Sequence, residues 1–254
     1  MRLRLDSANL ASLALACLCS NAAASQIDTL VSWDGLSSTG TFGEGSTDTF
    51  GQTFTVNGQE TVLDSFSFWI NDRNNPAPID FAAYVYEWSD PVGIAEAGHA
   101  IGPTLYESAP IVTTNNAGED GMELFTFNTG GIQLAPGRKY VAFVSSSLFW
   151  DGSHGGGEFG TTTVDVYSNG EFVYQATGNY FDPLITQGGW NTSLTDTAFR
   201  ASFSKLLAIP DPPAATLLLS AVLALLGLRT QMGPWRTPAC EQADNQADAL
   251  LMPV

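Results

Sequence analysis

Three oxygen-bearing side chains, those of Asp151, Ser153 and Glu158, occur within one short glycine-rich stretch. Oxygen atoms are the ligands that Ca²⁺ prefers, so this stretch is a candidate calcium loop. The alternative is an acidic turn that contacts only solvent. Apart from this one candidate metal, we expect the protein to need no cofactor.

Two tryptophans are candidates for contacts with a polysaccharide, because Trp150 and Trp190 fall in segments without strand periodicity. An exposed aromatic ring offers a face on which the C–H groups of a sugar can stack. The alternative for both residues is burial, since the aromatic residues of strands usually pack in a core.

The sequence lacks the residue patterns of common catalytic sites. His99 and His154 are far apart, no His-x-x-His or Cys-x-x-Cys spacing occurs, and no Gly-x-Ser-x-Gly elbow is present. The stretch 155–160 satisfies the dinucleotide pattern G-x-G-x-x-G, but no helix follows it to hold a pyrophosphate. We therefore expect a flexible loop there, and a protein that is not an enzyme.

The formal net charge of −17 restricts the choice of partners. Nucleic acids and anionic lipid surfaces are negative themselves and would be repelled. We therefore expect no nucleic-acid partner. An acidic surface suits a calcium-tolerant, polysaccharide-facing protein, and it equally suits any soluble secreted protein.

Two-residue alternation of apolar and polar side chains predicts that residues 26–205 form one domain of β-strands. In Val62–Ile70, for example, Phe66, Phe68 and Ile70 fall on one face. The other segments with this pattern are Phe50–Val56, Phe81–Trp88, Glu123–Phe127, Tyr140–Ser145, Thr161–Tyr167, Glu171–Gln175 and Phe199–Phe203.

Three dipeptides predict tight turns between these strands. Asn57-Gly58 and Asn169-Gly170 tolerate the positive φ angles of a hairpin turn, so we expect each to pair the strands on either side of it. Pro136-Gly137 suits a turn in which Pro presets the first φ angle and Gly takes the second position. Many short strands with such turns predict an all-β fold, an antiparallel β-sandwich of jelly-roll type.

The N-terminal residues 1–24 have the features of a secretory signal peptide. Arg2 and Arg4 precede an apolar segment, Leu10–Leu18, and small residues at 22–24 offer a signal-peptidase site. Cys17 and Cys19 would leave with this peptide, which forms the predicted N-terminal signal helix. Since the third cysteine is Cys240, we expect no disulfide in the domain 26–205.

The C-terminal fifth of the sequence divides into three segments. Residues 206–213 form a Pro-rich tether, residues 214–229 an apolar segment with helix-favouring Ala and Leu, and residues 230–254 a tail of disordered composition. As a helix, the apolar run to Leu228 is roughly 22 Å long. Because a bilayer core is about 30 Å thick, we expect a transient membrane anchor rather than a comfortable permanent span.

Pro210, Asp211 and Pro212, followed by the apolar segment and Arg229, resemble the C-terminal sorting signal of PEP-CTERM proteins of Gram-negative bacteria. The resemblance implies a membrane-bound exosortase as partner, which cuts near these prolines. Here Asp211 stands where the family has Glu, and the tail beyond Arg229 is a departure from the family.

The domain itself resembles the β-sandwich ectodomains that precede such signals. That resemblance implies architecture and export, and no ligand. The matching landmarks are Phe50–Phe54, Leu63–Phe68, Gly102–Ser108, Leu134–Val141 and Asp196–Arg200.

These observations predict an exported, non-catalytic surface or extracellular-matrix protein that is first tethered to the membrane and then reaches the cell surface or the medium. One alternative is a carbohydrate-binding module that recognises exopolysaccharide. A jelly-roll hydrolase is the third hypothesis.

Overall fold

A computed structural model gives the structure of the protein, and it describes residues 25–73, 77–91, 98–114, 121–152, 155–181 and 189–206. The chain divides into two units, Met1–Leu206 and Leu207–Val254. All described residues belong to the first unit. The predicted signal helix (1–24) and the predicted hydrophobic helix (214–229) lie outside the described residues.

The described residues are organised mainly as β-strands, with one-turn 3-10 segments at Leu30–Ser32 and Ser147–Phe149. The strands are β1 Ser25–Asp28, β2 Ser38–Gly43, β3 Thr49–Thr55, β4 Val62–Asn71, β5 Asp80–Ser89, β6 His99–Glu107, β7 Ile111–Val112, β8 Glu123–Gln133, β9 Lys139–Ser145, β10 Gly156–Gly160, β11 Phe172–Gln175, β12 Asn191–Ser193 and β13 Phe199–Ser204.

The strands form two antiparallel sheets. In the first sheet the order is β1-β13-β4-β10-β2, and β8 pairs with the other side of β4. In the second sheet the order is β12-β11-β3-β9-β5-β6, and β7 also pairs with β5. The all-β, antiparallel prediction is therefore confirmed.

The two sheets pack face to face through a core of aromatic side chains, which makes the domain a β-sandwich. Phe54 of the second sheet stacks on Phe199 of the first, with ring centroids 6.2 Å apart. Phe50 meets Phe159 edge to face at 5.3 Å. Burying each such ring contributes about 1.5–3 kcal/mol relative to leaving it exposed. Stability in this domain therefore rests on apolar burial, as the absence of cysteine from 26–205 requires.

The predicted turns reverse the chain, but they do not make hairpins. Gly58 has a φ of +78°, as expected, yet β3 and β4 lie in different sheets. Gly137 has a φ of +74° and likewise connects β8 of one sheet to β9 of the other. The prediction that Asn57-Gly58 pairs its flanking strands is wrong, because core burial draws each next strand to the opposite sheet.

Three local predictions between residues 155 and 170 are also wrong. Thr161–Tyr167 is not a strand; only Thr161 bridges to Thr197. The Asn169-Gly170 turn therefore has no hairpin to close. The stretch predicted as a flexible loop is instead β10, where a Cβ at Gly157 would overlap the backbone of Asn71. Close approach of two backbones explains these glycines.

The first and last strands of the domain are neighbours. Ser25 is the register partner of Phe203, and Asp28 that of Arg200. The Arg200 guanidinium also donates to the Asp28 carboxylate at 3.0 Å. The start of β1 and the end of β13 therefore lie side by side in the first sheet.

Candidate functional site

Trp150 lies where the chain leaves the second sheet, directly after β9 and its 3-10 turn. Its side chain is 42% exposed. A Cβ at Gly178 would lie 3.8 Å from Cη2 of this ring, so the loop after β11 runs beside the indole. Tyr180 follows in that loop and is 67% exposed. An aromatic ring is therefore available to solvent at this position, as the polysaccharide hypothesis requires.

Trp190 is not available in this way. Its side chain is only 3% exposed and packs against Trp88 at 5.5 Å and Phe143 at 5.3 Å. Alternate residues of the same strands face the core between the sheets, so this cluster covers the outer face of the second sheet. The expectation that Trp190 offers an open ring to a sugar does not fit this burial.

The proposed calcium ligands have different surroundings. The Glu158 carboxylate forms an ion pair with Arg73, which holds the pKa of Glu158 below its ordinary value. Asp151 lies near other carboxylates, and Ser153 is outside the described residues. Within the described part of the chain, no three Asp, Glu, His or Cys side chains are grouped to hold a metal ion. Calcium binding at this loop stays a prediction.

Asp151 instead belongs to a small acidic group that sequence spacing does not reveal. The backbone N–H groups of Asp151 and Gly152 donate to the Glu44 carboxylate at 3.3 and 3.2 Å. Burial raises the pKa of Asp80, and the charges of Asp151 and Glu44 raise it further. The fold thus lets the charges of Asp151 and Glu44, which are distant from Asp80 in sequence, act on Asp80, and Asp151 directly follows Trp150 in the chain.

A buried carboxylate lies under the same loops. The Asp48 side chain accepts hydrogen bonds from the Thr177 N–H at 3.2 and 3.1 Å, and the Asp48 carbonyl oxygen accepts one from the Ser146 N–H at 2.8 Å. Burial raises the pKa of Asp48. Asp48 therefore ties the loop after β9 to the loop after β11, the two segments that carry Trp150 and Tyr180.

A second buried carboxylate connects the two sheets. The Gln52 side-chain NH₂ of β3 donates to Asp196 at 2.7 Å, and the Gln52 oxygen accepts from the Thr197 N–H at 2.8 Å. The remaining Asp196 oxygen accepts from the N–H groups of Val166 and Tyr167 at 2.7 and 2.9 Å. Burial raises the pKa of Asp196. Gln52, Asp196 and Thr197 are fully buried, while Val166 and Tyr167 are partly buried.

These contacts explain two landmarks of the sequence. Phe50–Phe54 supplies Gln52, and Asp196–Arg200 supplies the carboxylate and the Thr197 N–H, so the two motifs meet inside the domain. The segment 162–167 is held by Asp196 rather than by a strand ladder. Sequence alternation cannot detect this use of a carboxylate in place of backbone pairing.

The predicted sorting residues Pro210, Asp211, Pro212 and Arg229 lie outside the described residues. Within the ranges that the structure describes, no helix is long and apolar enough to cross a membrane.

Comparison with known proteins gives little on function. No protein-family model and no curated protein matches the chain. Two solved structures of the clostridial cysteine protease Cwp84 are similar. One contains the cysteine protease and lectin-like domains of Cwp84, described as a surface-layer-associated protein of Clostridium difficile, with 11% identity, a TM-score of 0.37 and coverage of 63% of this chain and 32% of that one. The other, a variant of the same protease after propeptide cleavage, has 12% identity, a TM-score of 0.40 and coverage of 68% and 38%. The chain thus spans about a third of their length, and TM-scores this low support no functional argument.

Proposed function

We propose that this chain is an exported, non-catalytic surface or extracellular-matrix protein whose C-terminal PEP-CTERM-like signal is processed by an exosortase. The observation that carries the proposal is the pairing of β1 with β13. Removal of residues 1–24 leaves β1 whole from Ser25, and a cut near Pro210 leaves β13 whole to Ser204. Both processing steps therefore spare every described strand.

The sheet orders support a jelly-roll assignment for the domain. Eight strands follow the paths β2-β10-β4-β8 and β3-β9-β5-β6, and successive strands mostly alternate between the sheets. Two interleaved Greek keys produce this arrangement. The flanking elements of the proposal are the signal helix of residues 1–24 and the apolar helix of residues 214–229.

A non-catalytic role is supported by how the buried polar groups are used. The carboxylates of Asp48 and Asp196, which are among the most buried acidic groups, each accept hydrogen bonds from backbone N–H groups. A general base needs an accessible oxygen near a reacting proton, and these oxygens are directed at the protein's own backbone. Their geometry suits loop and sheet positioning.

The test is the intact mass of the mature protein, expressed in a host with and without its exosortase. We expect a C-terminus near Pro210 only in the host that has the enzyme. A mature chain that retains Arg236 and Cys240 in both hosts would show that residues 214–229 are an ordinary anchor.

A matched pair of variants sharpens this test. Asp211→Glu restores the glutamate of the family signal and should increase the processed fraction. Asp211→Ala removes the carboxylate and should decrease it. Equal processing of both variants and the parent chain would contradict recognition of this residue by the exosortase.

The second candidate function is binding of exopolysaccharide, and the exposure of Trp150 beside the acidic group favours it. Trp150→Ala should weaken binding to the host's own polysaccharide about tenfold, the equivalent of roughly 1.4 kcal/mol. The matched control is Leu194→Ala, because Leu194 is also a large exposed residue. Equal binding by both variants in a polysaccharide pull-down would contradict a polysaccharide-binding role for Trp150.

A further inference from the structure

Strand β8 has one edge with no partner among the described strands. Among the described strands it pairs only with β4, and at 11 residues it is the longest strand that ends a sheet. The N–H and C=O groups that face away from β4 therefore form an edge to which another strand can add.

The other sheet edges in the described part of the chain are short or interrupted. β1 has four residues and β12 has three. The pairing of β2 with β10 contains a register shift. β6 contains Gly102, with a φ of +74°, and Pro103, which has no N–H to donate. These are features by which proteins protect edges from association, and in β8 they occur only at Gly130 and Gly131, beyond a regular stretch of seven residues at 123–129.

The residues of β8 itself offer no such protection over most of its length. Leu124–Gln133 contains no charged residue and no proline. Glu123 is the one charged residue of the strand. Its carboxylate accepts hydrogen bonds from the N–H and hydroxyl of Thr114 at 3.3 and 2.7 Å. Leu124 is 52% exposed. The edge is thus neutral, extended and partly apolar on a chain whose net charge is −17.

We propose that β8 pairs with β8 of a second copy of this chain, antiparallel and about a two-fold axis at Thr126. Thr126 would then face its own equivalent, and Leu124 would face Asn128 of the other copy. On the inner side, Phe125 would face Phe127, so the two cores would join beneath one continuous sheet.

A second copy is the occupant that this strand fits best. From Leu124 to Asn128 the side chains alternate exposed and buried symmetrically about Thr126, so an antiparallel copy keeps each side chain on its own face. The bulge at Gly130 and Gly131 ends the regular edge and leaves 123–129, whose middle residue is Thr126. Two copies that associate through their charged surfaces would bring like charges together. Pairing through Leu124–Asn128 brings no charged side chains together. The interface is isologous, and its symmetry closes at a dimer.

The test is a disulfide trap on the two-fold axis, made in the full chain purified in mild detergent. The three native cysteines are replaced by Cys17→Ala, Cys19→Ala and Cys240→Ser, and Thr126→Cys is added. Residues opposite each other across an antiparallel pair lie within disulfide range. We expect about tenfold more covalent dimer than from Thr192→Cys, the matched control at an exposed position of the edge strand β12.

Charge substitution distinguishes specific pairing of the two β8 strands from disulfides that form by random collision. In the Thr126→Cys background, Leu124→Lys with Asn128→Lys places Lys opposite Lys in a homodimer and should abolish the covalent dimer. Leu124→Glu with Asn128→Glu should do the same. A mixture of the two variants should restore the dimer, because each Lys then faces a Glu. This recovery also demonstrates that both variants are folded.

Two results would overturn the proposal. One is a Thr126→Cys chain that stays monomeric while its melting transition matches that of the parent. The other is covalent dimer from Thr126→Cys and Thr192→Cys in equal amounts.

Discussion

Asp196 and Asp48 are both buried carboxylates, but they hold different parts of the domain. Asp196 meets Gln52 and the backbone of 166–167, and so joins the two sheets and a segment that has no ladder of its own. Asp48 meets Thr177 through its carboxylate and Ser146 through its main-chain carbonyl, and so joins two loops at one end of the sandwich. The first carboxylate replaces a strand pairing, whereas the second fixes the surface on which Trp150 stands. We therefore expect loss of Asp196 to weaken the whole domain and loss of Asp48 to act near the loops.

The largest effect is expected from Asp196→Ala. The change leaves the N–H groups of Val166 and Tyr167 and the Gln52 amide without their buried acceptor. At about 1–3 kcal/mol for each buried donor, the free energy of unfolding should fall by about 3 kcal/mol or more. Urea denaturation measures the loss, with Asp165→Ala as the control. A loss under about 1 kcal/mol would contradict a sheet-joining role for Asp196.

Asp48→Ala should cost less, about 2 kcal/mol, because the loops it joins can regain water as a partner. Hydrogen exchange distinguishes the two variants. Asp48→Ala should speed exchange of the Thr177 amide, while the Ser146 amide, which donates to the main-chain carbonyl of Asp48, and the amides of β4 and β9 stay protected. Uniform loss of protection across both sheets would mean that Asp48 also stabilises the core.

The pH dependence of stability gives a third, smaller test. Burial raises the pKa of both Asp48 and Asp196 above the ordinary value of 3.8. As the pH falls, Asp48 and Asp196 therefore become protonated in the folded chain at a higher pH than in the unfolded chain. These two groups should make unfolding harder as the pH falls through their folded pKa values, and the gain should level off below 3.8.

Thermal melting between neutral and mildly acidic pH measures this effect. Asp48→Asn and Asp196→Asn should each flatten the rise, since neither amide titrates. If the parent and both variants had the same pH profile, the raised pKa values would be excluded as its source.

The smallest effect is expected from Arg73→Ala. Its partner Glu158 has a lowered pKa, so this ion pair stabilises the fold above the ordinary pKa of Glu and is lost as the pH falls through the lowered value. Both side chains contact water, so the loss at neutral pH should be about 0.5 kcal/mol. Glu87, paired with Arg138, allows the control Arg138→Ala, with a loss of similar size. A loss above about 2 kcal/mol in urea denaturation would point to a structural role for Arg73 beyond the ion pair.

Much of the strand content was predictable because it depends on local alternation. Phe66, Phe68 and Ile70 do share the core face of β4, and Tyr140–Ser145 lies within β9. The partners of each strand were not predictable from turn residues. The Asn57-Gly58 turn specifies that the chain reverses, while the sheet that receives the next strand depends on core packing over the whole domain.

The site was less predictable than the fold, since it depends on contacts between distant residues. Trp150 fits its predicted exposure, but Trp190 packs on Trp88 and Phe143, which come from two other strands. The contact between Gln52 and Asp196 spans 144 positions. Its one sequence signal is the presence of both residues in motifs that resemble those of exported β-sandwich ectodomains.

The central position of β13 between β1 and β4 has a mechanical consequence. A load applied parallel to the axis of β13 acts across the backbone hydrogen bonds that join β13 to both neighbours. Such a load shears many hydrogen bonds at once instead of opening them one after another. The rate of forced unfolding should therefore be low for a load in this direction.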